Sequence, residues 1–249
     1  MNILDEIVAN TRSKLADKKL KIPFDELSSK IDMNNLKKSV FKKTLEGSNQ
    51  AIIAEIKKAS PSAGLISEDF DPVLKAKEYE SFGASALSIL TEEDYFQGNI
   101  QYLINVKAVS NLPILRKDFI IDKYQIYESK IIGADCILLI ASILNDDEIK
   151  IFSQIAEKLG LDYIIEVHNK DELSRVKNFS KAIIGVNNRN LKTFEVDIDN
   201  SIRLRQEFQE DNIFVSESGI KNQKDIDKLK EHNINVFLIG ESLMKGDFF

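Results

Sequence analysis

A chain of 249 residues that is 43% hydrophobic can bury a sizeable core, and its length allows one domain or two. A net charge of −6 excludes the basic footprint of a nucleic-acid binder, so an anionic ligand would need local positive charge. The lone Cys136 excludes an internal disulfide framework, fits a reducing compartment and reads as a small buried hydrophobe.

Met1-Asn2-Ile3-Leu4-Asp5-Glu6 has no basic n-region or long apolar h-region, so no signal peptide is expected. No apolar run nears the roughly 18 residues of a membrane span. The expectation is a soluble, cytoplasmic protein with no nucleic-acid or membrane partner.

In chain order, Ile3, Leu4, Ile7, Val8 and Leu15 fall on one helical face. A Lys-rich hinge with Pro23 follows, then Phe24, Leu27, Val40 and Phe41. Residues 1–48 read as a helical N-terminal extension packed on the rest, and residues 1–249 as one domain.

From residue 51 the pattern changes. Short continuous apolar runs occur at 51–56, 85–90, 112–116, 135–140, 162–167, 182–187, 212–216 and 235–239. Such runs read as strands buried on both faces, as in a parallel sheet. Their starts lie about 20–35 residues apart, the length of a βα unit. Helical patterns fill the gaps. Asp71-Pro72 reads as a cap and first turn, and further helices open near Ile121-Asp122, at Asp146-Asp147-Glu148 and at Asn169. Gly83, Gly133 and Gly160 fall just before strands, where helix C-terminal glycines belong.

Eight βα units in roughly 200 residues predict an α/β fold of the (β/α)8 TIM-barrel class. A doubly wound open sheet is the rival, but the first strand–turn lacks its G-x-G-x-x-G fingerprint. The chain ends too soon after Ser242 for a full eighth helix, so either the chain is cut short or that helix is a stub.

Several of these runs end in charged or amide side chains. Residues i and i+2 share a side of a strand, so Glu55 and Lys57 should point the same way, as should Asn187 and Arg189, and Glu166 and His168. Lys117 shares a face with Leu115 and Phe119. One such charge would be a solvated strand end. Glu55, Lys57, Lys117, Glu166, Asn187 and Glu217 together suggest a shared polar mouth, where parallel-sheet enzymes keep their chemistry.

Ser216-Glu217-Ser218-Gly219 and Ile239-Gly240-Glu241-Ser242 follow the seventh and eighth runs, the usual place of a phosphate cradle in such barrels. Phe96 and Phe119 either line an apolar pocket or pack ordinarily. Glu166 and His168 are too few ligands for a metal. A Schiff-base aldolase using Lys117 or Lys57, and a non-catalytic phosphosugar-binding barrel, stay open on the residues alone.

The chain resembles the indole-3-glycerol phosphate synthase family. The resemblance rests on Glu55-Ile56-Lys57-Lys58-Ala59-Ser60-Pro61-Ser62, Leu90-Thr91-Glu92 with Tyr95-Phe96, Leu115-Arg116-Lys117-Asp118-Phe119 and Glu166-Val167-His168. It continues through Asn187-Asn188-Arg189-Asn190-Leu191, Ser216-Glu217-Ser218-Gly219-Ile220 and Gly240-Glu241-Ser242-Leu243-Met244, covering nearly the whole chain. Ala63 departs from it, standing where the family often has Lys.

The resemblance implies ring closure of 1-(2-carboxyphenylamino)-1-deoxyribulose 5-phosphate, with loss of carbon dioxide and water, in tryptophan biosynthesis. It gives Lys117 the acid role and Glu166 the base role. Lys57 steers the substrate or acts as a second acid, a split the pattern does not resolve. Glu55, Asn187 and Glu217 complete the polar ring. Ser60 meets the carboxylate, with Phe96, Phe119, Arg189 and Leu191 as further substrate contacts, although Arg189 could equally be a structural ion pair. The phosphate falls to Ser218, Gly219, Gly240 and Ser242. The implied partner is this phosphosugar alone, the implied state a monomer, and no cofactor or metal is expected.

Overall fold

Each apolar run forms a strand, and each starts within two residues of its expected position. In a computed structural model, which describes residues 3–191 and 193–248, these are β1 (Ala51–Ile56), β4 (Ala86–Leu90), β5 (Ile114–Lys117), β6 (Cys136–Ile140), β7 (Asp162–Val167), β8 (Ile183–Asn187), β9 (Phe214–Glu217) and β10 (Val236–Ile239). Met1, Asn2, Lys192 and Phe249 lie outside the described residues. The eight strands pair in parallel in the order β1-β10-β9-β8-β7-β6-β5-β4 and close into a TIM barrel. Closure leaves no sheet edge and puts both faces of every strand under cover.

Between them run α4 (Pro72–Phe82), α5 (Ile100–Lys107), α6 (Lys123–Ile131), α7 (Asp146–Lys158), α8 (Lys170–Val176), α9 (Asp199–Glu207) and α10 (Gln223–Lys230). All of them but α9 start on a side-chain cap. Asp71 Oδ1 accepts the N–H groups of Val73 and Leu74, and Asn145 and Glu148 form a reciprocal capping box ahead of α7. Asp122 is a cap, so α6 begins two residues later than Ile121. Gly83 closes α4 at φ +94°, a left-handed conformation that costs glycine nothing. The last helix, α11 (Glu241–Lys245), is a stub of five residues.

Strand alternation splits the core into two layers. Ala51, Ile53, Leu115, Cys136, Leu138, Ile164, Val215 and Leu238 fill the barrel, while Ile52, Ala54, Ile114, Ile137, Ile165 and Ile184 face the helices. Cys136 is fully buried, and burial pushes its thiol well above the ordinary range, so it acts as a small hydrophobe.

The N-terminal extension has helices α1 (Ile3–Lys21), α2 (Phe24–Ser29) and α3 (Phe41–Leu45). Phe41 and Leu45 plug the amino end of the barrel, where Lys42 N–H donates to Asp162 at the start of β7. Val40 does not join that plug; it is exposed at the head of α3. At the other end Ile3, Leu4 and Ile7 of α1 reach over the carboxyl rim of the strands. A two-residue hairpin, β2 (Ala59–Ser60) with β3 (Gly64–Leu65), follows β1 and is too short to leave a hydrophobic pattern in the sequence.

Candidate active site

Alternation on five strands sends Glu55 (β1), Lys117 (β5), Glu166 (β7), Asn187 (β8) and Glu217 (β9) inward above the last apolar layer. They are not solvated strand ends: Glu55, Glu166 and Glu217 are 5%, 3% and 1% exposed. Lys117 Nζ donates to Glu166 Oε2 at 2.8 Å and to Glu217 Oε2 at 2.5 Å. Lys57 Nζ donates to Glu55 Oε1 at 2.6 Å. Asn187 Nδ2 donates to Glu166 Oε1 at 3.3 Å. Glu217 Oε1 is buried with no hydrogen-bond partner among the described residues.

Two glycines make room for this ring. A Cβ at Gly185 would stand 2.2 Å from Glu217 Oε1, and one at Gly240 would stand 2.4 Å from Glu55 Oε1. Gly240, expected in the phosphate cradle, thus also accommodates the Glu55–Lys57 pair.

Three carboxylates face two lysines. Burial weakens the charged form of Lys117, but Glu166, Glu217 and Glu55 outweigh it and hold the ammonium well above its ordinary pKa. Burial also opposes ionisation of Glu166, yet Lys117 and His168 keep that carboxyl well below the usual range. Glu217 moves the other way: burial raises it, Lys117 only partly offsets that, and Glu166 and Glu55 add repulsion.

All the residues given a catalytic, substrate or phosphate role in the sequence line one cavity of about 1010 Å³ at the carboxyl end of the barrel, while His168 does not. Phe96 and Phe119 form one wall, their ring centroids 6.1 Å apart. Ser60 sits in the hairpin, its Oγ accepting the Ala63 N–H at 3.2 Å. Arg189 and Leu191 approach from the loop after β8. The guanidinium of Arg189 reaches Phe194 O at 3.2 Å and Glu241 at 3.7 Å, so it is both an ion pair and a cavity residue.

Opposite lie Ser218, Gly219, Gly240 and Ser242. Ser218 and Gly219 have successive positive φ values of 69° and 85°, a concave turn that costs a serine energy. Asn188 supports it by donating to Ser218 O at 3.1 Å. The Ser242 hydroxyl is committed to Ile220 O at 2.9 Å and ties the two loops together.

The sequence did not reveal the roof from α1 or the supports of the aromatic wall. Glu92 Oε2 accepts the N–H groups of Tyr95 and Phe96 at 2.7 and 3.0 Å. Asp118 Oδ1 accepts the Phe119 N–H at 2.8 Å, while its Oδ2 is held by Arg116. The acids in Leu90-Thr91-Glu92 and Arg116-Lys117-Asp118 are the available signal: their partners lie within four residues in sequence, but burial, which marks them as supports, comes only with the fold.

The family model described as indole-3-glycerol phosphate synthase matches residues 4–248. The indole-3-glycerol phosphate synthase of Endomicrobium trichonymphae is 50% identical over 245 residues, covering 98% of this chain and 95% of that one. That of Ruminiclostridium cellulolyticum is 47% identical over 98% and 94% of the two chains. Among solved structures, tryptophan synthase subunit alpha from Legionella pneumophila aligns with a TM-score of 0.61 at 13% identity, over 84% of this chain and 88% of that one. A mutant alpha-subunit from Pyrococcus furiosus gives 0.58 at 15%, over 78% and 89%. At such identities these two show the fold alone. The chain belongs to the indole-3-glycerol phosphate synthase family.

Proposed function

We propose that this chain closes the indole ring of 1-(2-carboxyphenylamino)-1-deoxyribulose 5-phosphate, yielding indole-3-glycerol phosphate, carbon dioxide and water. The observation that carries the reading is Lys117: a half-buried amine held between Glu166 and Glu217, two carboxylates that favour its charged form, at the floor of a cavity with one apolar wall. The ring carbon bearing the carboxylate attacks the ketone carbon. Lys117 donates a proton to the developing alkoxide, which lowers that barrier. Carbon dioxide leaves and the aromatic ring is restored. The hydroxyl then departs as water, assisted by Lys117 or Lys57, while Glu166 takes the proton lost from the new five-membered ring.

Glu55 and Asn187 keep Lys57 and Glu166 in place, and Glu217 balances Lys117. Phe96, Phe119 and Leu191 receive the aromatic part, and Ser60 and Arg189 the carboxylate end. Backbone N–H groups around Ser218, Gly219, Gly240 and Ser242 take the phosphate. The substrate's own carbonyl is the electron sink, so no cofactor or metal enters this scheme. A Schiff-base lysine needs a lowered pKa, and Lys117 is shifted the opposite way.

One chain supplies the whole cavity lining, which supports a monomer, and a reduced, buried Cys136 suits the cytoplasm. The test is indole fluorescence after adding the carboxyphenylamino substrate to the purified protein. A rise matched by substrate loss is expected; unchanged substrate would overturn the reading.

A further inference from the structure

His168 takes no part in the chemistry described above. It follows β7 on the same side as Glu166 and stands behind that carboxylate rather than in the cavity wall. Its Nε2 is buried and lies 3.4 Å from Glu166 Oε1, at ion-pair distance but outside hydrogen-bond geometry, and its Nδ1 lies 3.1 Å from Glu172 Oε2 on α8. The same Glu172 oxygen accepts the His168 backbone N–H at 2.8 Å, and Asn169 Nδ2 holds the other Glu172 oxygen at 2.8 Å. Asn200 on α9 donates to His168 O at 3.0 Å. The side chain is 12% exposed, and these contacts hold the ring in its place.

A neutral imidazole has one N–H and one lone pair. With a carboxylate oxygen on each nitrogen, it would aim its lone pair at one of them. Only the imidazolium presents positive charge and an N–H toward both. With Glu172 counted, four carboxylates stand against two lysines, an excess of negative charge that favours a protonated ring. Glu55 from β1, Glu166 and Glu217 from β9 make three carboxylates, while Lys57 and Lys117 supply two positive charges. Asn187 from β8 and Asn200 from α9 are neutral neighbours, and Glu172 is the remaining charged group on His168.

We propose that His168 is a positioning residue for ring closure: as an imidazolium wedged between Glu172 and Glu166, it supplies the third positive charge and attracts Glu166 Oε1 as an ion pair, leaving Oε2 to Lys117. This rests on the reading of Glu166 as the base. The electrostatics support it. Burial draws the imidazole toward neutrality, but Glu166 and Glu172 outweigh burial and raise His168 to about 9. Glu172 is held below its ordinary range despite burial by the same histidine.

The experiment joins an NMR titration of the imidazoles with pH profiles of kcat. The chain has 2 histidines, so His168→Gln assigns the signals by difference. In the native protein His168 should remain protonated at pH 7 and titrate near pH 9. In Glu172→Gln its titration should move down by about one pH unit. In His168→Gln the acid limb of kcat should move up by about one unit, a tenfold loss at a fixed pH on that limb, with KM within about twofold.

A His168 already neutral at pH 7, or a His168→Gln profile superimposable on the native one, overturns the proposal. If His168→Gln does not fold, the Glu172→Gln titration decides: no downward movement overturns it. Glu166→Gln separates the two readings. Turnover retained in that variant removes the base assignment itself; turnover lost there, with His168→Gln behaving as native, removes only the role of His168.

Discussion

Arg116 and Lys117 are consecutive residues of β5, the first fully buried and the second half-buried, facing opposite sides of the barrel wall. Arg116 points into the helix layer, and all three of its nitrogens donate. Nε reaches Thr91 Oγ1 and Asp118 Oδ2, Nη1 reaches Gln125 O and Ser129 Oγ, and Nη2 reaches Asp118 Oδ2 and Glu128 Oε2. Glu128 continues the network to Lys18 of α1 at 3.1 Å. Lys117 points into the cavity, where the facing Glu217 Oε1 has no hydrogen-bond partner among the described residues. The difference separates two uses of buried charge. A charge whose donors are all matched acts as a joint. A charge beside an unmatched oxygen and an open cavity suits the proposed role of acting on a substrate.

The largest expected effect belongs to the cavity side. Glu166→Gln should lower kcat by about 10²–10⁴ in steady-state assays, the usual worth of a general base. A loss under tenfold would break the distinction. On the helix side, Arg116→Met leaves Asp118 and Glu128 without their guanidinium and should cost about 3–5 kcal/mol in urea unfolding. The remaining folded protein should turn over within a few-fold of native. Unchanged stability with lost turnover would move Arg116 into the chemistry.

The same variant carries a pH signature. Burial raises Glu128, but Arg116 and Lys18 outweigh it and lower the carboxyl below its ordinary 4.5. Its contribution is therefore present above pH 4.5 and is lost as pH falls through the depressed folded value. The stability gap between native protein and Arg116→Met should narrow on acidification below 4.5; a constant gap would contradict the pairing.

Gly185→Ala tests the fit of the proposed catalytic ring. The added Cβ would stand 2.2 Å from Glu217 Oε1 and 2.8 Å from Ile164 Cγ2. Stability should fall by about 1–3 kcal/mol, and a crystal structure should show Glu217 displaced from Lys117. The smallest effect lies at the surface. Lys14 pairs with Glu93 and Asp94 at 2.9 and 2.6 Å, but all three are well exposed. Lys14→Ala should change stability by no more than about 1 kcal/mol.

Much of this was legible in the residues because a two-sided parallel strand is written as a short apolar run, and alternation then assigns faces. Leu115, Lys117 and Phe119 share a phase, so the lysine could be placed on one side of β5 from sequence. Arg116 received no role, because Glu128 and Ser129 become its partners only when α6 folds back on β5. The periodicity of Ile3, Leu4 and Ile7 shows that α1 buries a face, but not that the face lies over the mouth. Gly185 looked like a residue in an apolar run; its lack of a side chain gains meaning only from Glu217 on the next strand. The left-handed turn at Ser218 is invisible for a similar reason, since Asn188 supports it from across β8 and β9.

The most direct test of the site is the single-turnover rate of indole formation by Lys117→Ala at saturating substrate, with substrate affinity measured in parallel. The rate should fall by about 10²–10⁴ while affinity stays within a few-fold of native. Near-native formation of indole by that variant would contradict the assignment of Lys117 as the acid.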